Sequence, residues 1–425
     1  MFLFSICVIL FNLTNFASGI FAKEIVFCGT PIFSPDDLPW DFNRSIESQE
    51  TMKYFSEKFK KMGYELRHAL PEEEGIENAD AIIGFDMACM NLPYTHKCIC
   101  VMWEPPTVLN DMYDIQKHAP FKKFLTMIDP LVDNKKYFKY YFPQLSLKMI
   151  DPVSFEDKKL AVQISGNKYY ASRYELYSER RKVISFFESK CIDDFDYYGI
   201  GWKGSRNYKG ATKVKKDVLK NYKFSFCYEN SKNITGYVSE KIFDCFIAGC
   251  VPIYLGADNV TDFIPEGCFI DRRQFANLED VYNYIKNISK EEYNTYIANI
   301  DSFLKSDECF LFSLDYFVHT MAIHAIPDYR PEIVFDEDTA KKLYRVDGLR
   351  KSHEKIRLED KKLFFEQNRN VFLKKWAYII WSKFFFIWDS SSRRYFISLV
   401  TTFALLICYL FWKYLLRVKK QYGSS

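Results

Sequence analysis

Near the middle of the chain Tyr237, Glu240 and Lys241 set an aromatic ring, a carboxylate and an ammonium three and four residues apart. On a helix that spacing puts all three on one side. Such a trio suits a nucleotide sugar, with ammonium to phosphate, carboxylate to ribose hydroxyls, and ring to base or sugar. An ordinary α/β crossover with a polar first turn has the same pattern, so the trio alone does not separate a site from a solvated helix start. A second carboxylate, Glu104, stands in Trp103-Glu104-Pro105-Pro106, where the prolines fix the turn that follows. It falls at the carboxyl end of an apolar run, where open α/β sheets present their chemistry. A strand-terminating surface glutamate would look the same.

The elements that must hold these residues follow from hydropathy patterning. Residues 224–228 form an aromatic and apolar run fit for a buried strand, and Glu229-Asn230-Ser231 ends it. Gly236 opens a helical pattern over 237–248, and Gly249 follows where a helix C-cap favours positive φ. Residues 251–255 make the next strand, closed by Gly256. Strand, polar loop and helix N-terminus together form an anion site. Upstream, strands at 25–28, 65–67, 79–85 and 98–103 and a helix at 47–62 predict an α/β fold with a parallel sheet. After the polar stretch 151–158 the pattern restarts, with strand 160–164, helix 175–189 and strand 195–198. Three helical patterns, 277–288, 291–304 and 310–326, close this second set, and Pro327 stops the last.

The string FCYENSKNITGYVSEKIFDCFIAGCVPIYLGA, residues 226–257, resembles the donor-binding signature of the α1,3-fucosyltransferases, glycosyltransferase family ten. The matching pieces are F-E-N-S (here Tyr228-Glu229-Asn230-Ser231), G-Y-V-[ST]-E-K (Gly236 to Lys241) and G-x-V-P-[IV]-[YV]-x-G (Gly249 to Gly256). A weaker likeness runs from about Glu24 to about Ile326. The resemblance implies a GT-B type architecture, two Rossmann-like domains facing a central cleft. Residues 23–155 would form the acceptor domain and 156–328 the domain that binds GDP-fucose. Trp103-Glu104-Pro105-Pro106 is similar to the family's E-S-P motif, with Pro105 in place of Ser, which makes Glu104 the implied catalytic base. Residues 129–143 resemble the family's next block, a donor or acceptor rim or a solvated edge. Arg180, with Phe187 seven residues on, matches an arginine that contacts the donor diphosphate; Arg181 is the fallback. Asn230, Tyr237, Glu240 and Lys241 would position the donor. The implied reaction is inverting transfer of L-fucose to a glycan or glycoprotein hydroxyl, in α1,3 linkage to N-acetylglucosamine. No cofactor is required and no divalent metal is expected to be essential. Two alternatives stay open: a silent carbohydrate- or nucleotide-binding relative, and a GT-B transferase with another donor.

At 425 residues and 48% hydrophobic, the chain can bury the cores of two domains. Its 58 basic and 55 acidic residues nearly cancel, so nothing points to a nucleic-acid partner. Residues 1–22 are apolar and resemble a signal peptide or signal anchor. Residues 329–392 form a charged and then aromatic linker, and 393–416 suit a transmembrane helix ahead of a short basic tail, 417–425. With the resemblance, these ends predict a Golgi or other secretory-pathway membrane, with the catalytic domains lumenal and the C-terminal helix as anchor. Sequons at Asn43, Asn259 and Asn287 are glycosylation candidates, whereas Asn233 lies in the proposed donor loop and is expected to be unmodified. Asp194-Phe195-Asp196 is read as structural rather than as a metal-binding D-x-D. None of the six histidines shows ligand spacing, so no metal site is expected. Cys98 and Cys100 point to one strand face, too far apart for an easy bridge, and Cys245 and Cys250 read as small buried hydrophobes.

Overall fold

The computed structural model describes residues 23–28 and 46–353, apart from 91, 93, 152 and 204. The expected signal segment 1–22, the sequon at Asn43, residues 354–392 of the linker, the apolar segment 393–416 and the basic tail lie outside the described residues. Among those described, no helix is long and apolar enough to cross a membrane.

The first sheet has six parallel strands in the order β2-β1-β3-β4-β5-β6. They are β1 (Lys23–Cys28), β2 (Tyr64–Ala69), β3 (Ala81–Phe85), β4 (Cys98–Met102), β5 (Lys123–Thr126) and β6 (Tyr137–Lys139). Every residue of β3 and β4 is buried, as continuous apolar runs are when both faces of a parallel sheet are covered. Helix α1 (Ile46–Lys61) covers one face: Phe27 packs against Phe55 and Phe59 at 5.6 and 5.8 Å, with Phe85 at 5.5 Å. Cys98 and Cys100 are buried, their sulfurs 3.9 Å apart.

The second sheet is also parallel, in the order β11-β10-β9-β7-β8, with β7 (Lys159–Ile164), β8 (Phe195–Tyr198), β9 (Tyr222–Tyr228), β10 (Val251–Leu255) and β11 (Ile270–Asp271). The chain runs from β7 outward to β8, then returns to the other side of β7 for β9. That reversal opens a crevice at the carboxyl ends of β7 and β9, the usual ligand position in such sheets. Helices α2 (Tyr177–Lys190), α3 (Lys215–Leu219), α4 (Glu240–Ile247), α5 (Leu278–Asn287) and α6 (Lys290–Leu304) accompany it. Phe187 of α2 stacks on Phe195 at 4.4 Å and meets Phe226 edge-on at 5.5 Å.

The helical pattern 310–326 breaks in two. Ser313 caps a fresh helix, α7 (Leu314–Ala325), by accepting the Tyr316 N–H. This helix crosses to the first sheet instead of closing the second: Phe317 packs with Phe55, Trp103 and Tyr140 at 6.0, 5.9 and 5.4 Å. Its polar residues bind the same side, Asp315 with Tyr54 and Lys58, and the His324 carbonyl with Lys123 Nζ at 2.7 Å. An aromatic anchor inside an apolar helix gave no sequence signal of which sheet it would choose. The charged stretch after Pro327 forms α8 (Glu337–His353).

Candidate active site

The first sheet delivers Glu104 on a firmly held turn. Asp86, directly after β3 and in the left-handed region at φ 50, accepts the Trp103 N–H at 2.7 Å and the Glu104 N–H at 3.1 Å on one oxygen. The Tyr140 hydroxyl donates to the Met102 carbonyl at 3.0 Å, and the Tyr113 hydroxyl to the Glu104 carbonyl at 2.8 Å. Burial pushes the Glu104 carboxyl above the ordinary value; the Lys241 ammonium opposes the rise without cancelling it. Across the gap, Asn230 Nδ2 lies 3.5 Å from Glu104 Oε2.

The second sheet supplies the remaining groups from the loop between β9 and α4, from the start of α4, and from α2 and α3. Arg180 is buried and donates through one nitrogen to the Tyr228 carbonyl at 2.6 Å and to Asn230 Oδ1 at 3.1 Å, its guanidinium 4.7 Å from the Tyr177 ring. It therefore braces the end of β9 and orients Asn230. Arg181 turns outward to the Lys168 carbonyl at 2.7 Å. The spacing to Phe187, fully buried in α2, is thus the better guide to the inward arginine.

Lys241 sits at the centre of a charged network. Its ammonium is 2.8 Å from Ser239 Oγ, 3.2 Å from Glu229 and 3.6 Å from Glu240. Glu229 is fully buried and accepts from the Ser239 N–H at 2.8 Å and hydroxyl at 2.7 Å. Lys215 reaches in from α3 to Glu240 at 3.3 Å and Asp244 at 3.0 Å. Burial alone would raise the Glu240 carboxyl, but Lys241 and Lys215 outweigh it and hold it well below the usual range. For Lys241 burial works against the charge, and Glu229 and Glu240 outweigh it, so its pKa is raised.

The helical turn expected to carry Tyr237 starts later. Helix α4 begins at Glu240 with Ser239 as its N-cap residue, and residues 236–239 are an irregular loop. Gly236 has φ 86 and abuts the first sheet, so the chain there is shaped by a close approach and not by helix propensity. Tyr237 is buried in that loop, while Glu240 and Lys241 follow on the helix. Lys139 of β6, buried, donates to Asp129 at 2.6 Å and to the Met127 carbonyl, with the Gly236 carbonyl at 3.4 Å. Asn259 completes this contact, donating to Asp129 at 3.0 Å and to Asp262 at 2.9 Å and accepting the Gly236 N–H at 2.8 Å. The Asn259 amide thus bonds across the contact between the sheets. Asn287 is exposed near the end of α5, and Asn233 is exposed with φ 56.

Asp194 pairs with Lys286 at 2.7 Å, and Asp196 with Lys159 and Lys209 at 2.9 and 3.2 Å, so lysines occupy both members of the D-x-D triplet. Among the described residues no group of three or more His, Cys, Asp or Glu could hold a metal ion. The sequence reading passed over Asp86, Glu229 and Lys215. Asp86 carries the same signal as Glu104, a carboxylate directly after a buried strand. Glu229 stands inside the quoted motif beside Asn230. Lys215 lies in a lysine-rich run that marks no single member.

Residues 158–304 match the family model described as glycosyltransferase family 10 (fucosyltransferase) C-terminal. The matched stretch is similar to that family; it spans β7 to β11 and α2 to α6 and holds Arg180, Asn230, Tyr237, Glu240 and Lys241, and Glu104 precedes it. The chain is 37% identical over 74 residues to an α1,4-fucosyltransferase of Arabidopsis thaliana, which is 17% of this chain and 18% of that protein. It is 37% identical over 86 residues to the α1,3-fucosyltransferase FucT of Helicobacter pylori, 20% of this chain and 17% of that protein. The alignments thus span less than a fifth of either relative. A crystal structure of an α1,3-fucosyltransferase with GDP superposes with a TM-score of 0.44 at 14% identity, covering 73% of this chain and 93% of that one.

Proposed function

We propose that this protein is an inverting fucosyltransferase of GT-B type that moves L-fucose from GDP-fucose to a hydroxyl of a glycan or glycoprotein acceptor, in α1,3 linkage to N-acetylglucosamine. In this proposal residues 23–155 form the acceptor domain and 156–328 the donor domain, and the enzyme works at a secretory-pathway membrane with both domains lumenal. The observation that carries it is the convergence of Glu104 from one sheet with Asn230, and through it Arg180, from the other. A raised carboxylate facing a cluster of cations across a gap is what a displacement at a sugar carbon needs.

Glu104 takes the proton from the acceptor hydroxyl as its oxygen bonds to the fucose anomeric carbon. The bond from that carbon to the β-phosphate oxygen breaks on the opposite face, and GDP leaves with the electron pair. Lys241 and Arg180 meet the charge that grows on the diphosphate, and each such preorganised donor contributes roughly a few kcal/mol to the transition state. Glu240, with Tyr237 and Asn230, holds the nucleotide sugar. No step calls on a bound metal.

The test is turnover of labelled GDP-fucose with a panel of glycan acceptors. Glu104→Gln is expected to lower kcat by about a thousandfold or more while GDP affinity stays within about twofold of wild type. Undiminished turnover by that variant removes Glu104 as the base. Displacement of bound donor by UDP in preference to GDP would overturn the choice of donor.

A further inference from the structure

Asp86 lies outside the stretch similar to family 10, and the reaction outlined above gives it no role. It is 3% exposed and sits in a left-handed conformation that only a few residue types adopt readily. A buried carboxylate in a strained turn is costly unless its surroundings use it. Here one of its oxygens accepts successive backbone N–H groups, those of Trp103 and Glu104, at 2.7 and 3.1 Å. Those N–H groups directly follow β4.

We propose that Asp86 is the positioning residue for Glu104, fixing by this pair of backbone hydrogen bonds the turn that aims the Glu104 carboxylate across the cleft. The inference rests on the assignment of Glu104 as the base. Two hydroxyls complete the seat, with Tyr140 on the Met102 carbonyl and Tyr113 on the Glu104 carbonyl. Four hydrogen bonds therefore define a three-residue turn, and two of them depend on one carboxylate. The ionisable groups facing Asp86 are Glu104 on the same turn, Tyr113 from the segment after it and Tyr140 beyond β6. Burial pushes the Asp86 carboxyl up to about 7, against the two N–H bonds that favour the anion. The anion grips the N–H groups more strongly than the neutral acid.

Asp86→Asn keeps the size of the side chain and its tolerance of positive φ. In the full chain, GDP affinity is expected to stay within about twofold of wild type and acceptor KM within about threefold. At pH 8 kcat is expected to fall about tenfold to a hundredfold, the cost of a base displaced by up to an ångström. The deficit narrows toward pH 6, where wild-type Asp86 is itself protonated. In a Glu104→Gln background the same substitution costs no further turnover. Full kcat at pH 8, an undiminished loss in the Glu104→Gln background, or loss of GDP binding would each overturn the positioning role, the last by making Asp86 a determinant of the fold. A fully active Asp86→Asn beside an inactive Glu104→Gln removes only this inference, whereas a fully active Glu104→Gln removes the base assignment and this inference with it.

Discussion

Lys241 has two duties that single substitutions confuse. Its ammonium pairs with Glu229, a carboxylate with no solvent exposure, and in the proposed reaction it also meets the charge of the diphosphate. Breaking a buried pair from one side leaves an uncompensated charge, at a cost of about 3–5 kcal/mol. Lys241→Ala is therefore expected to lose donor affinity and to lower unfolding stability by about 3 kcal/mol, the Ser239 bonds to Glu229 offsetting part of the cost. Adding Glu229→Gln removes the stranded charge and should recover most of that stability without restoring donor affinity. Chemical denaturation and calorimetric titration with GDP separate the two effects. Stability that stays low in the double variant would mean Lys241 holds the fold through something other than Glu229.

Elements were legible where one local force decides them. Buried runs such as 81–85 and 251–255 appear as strands in the sequence because a parallel sheet covered on both faces demands continuous apolar residues, and 195–198 is legible instead as an alternating edge strand. Gly249 at φ 61 ends α4 where its lack of a Cβ is needed. The sequence was misleading where distant chain decides. Residues 123–126, Lys-Phe-Leu-Thr, are too short a run to announce a strand, yet they pair with β4 and β6. Residues 237–239 have helical spacing, but Gly236 and its contact with the first sheet keep them out of the helix. Glu104 was legible as a strand-end carboxylate and Asp86 carries the same signal after β3, while Lys215 matters only through Glu240 and Asp244, far along the chain. Gly236→Ala puts a Cβ against the Met127 carbonyl and the Asp129 carboxylate at a positive φ. It is expected to destabilise by more than about 1 kcal/mol and to weaken GDP binding by shifting the loop that carries Tyr237. Unchanged GDP affinity would show that this loop does not seat the donor.

At the scale of the molecule, Lys139 is one of the polar groups that join the two sheets. It is buried, pairs with Asp129 at 2.6 Å and points its remaining protons at carbonyls from both sheets, Met127 and Gly236. Its charge also lies 5.2 and 4.9 Å from the ring centroids of Tyr141 and Phe263, which come from opposite sides of the contact. Asn259 then ties Asp129 to the donor loop. Lys139→Met keeps the length of the side chain and removes the charge that pairs with the Asp129 carboxylate, while the Asn259 amide and the Asp129 N–H bond to the Thr235 carbonyl stay in place. The expected result is faster amide hydrogen exchange at residues 127–141 and 234–239, with the cores of β3, β4 and β10 unaffected. A local loss of this kind marks an opening of the contact and not global unfolding. Bound GDP should restore the protection at 234–239, because a ligand seated on that loop stabilises the state that binds it. Exchange that rises evenly across both sheets would instead make Lys139 an ordinary core residue, with the 234–239 loop held in place without it.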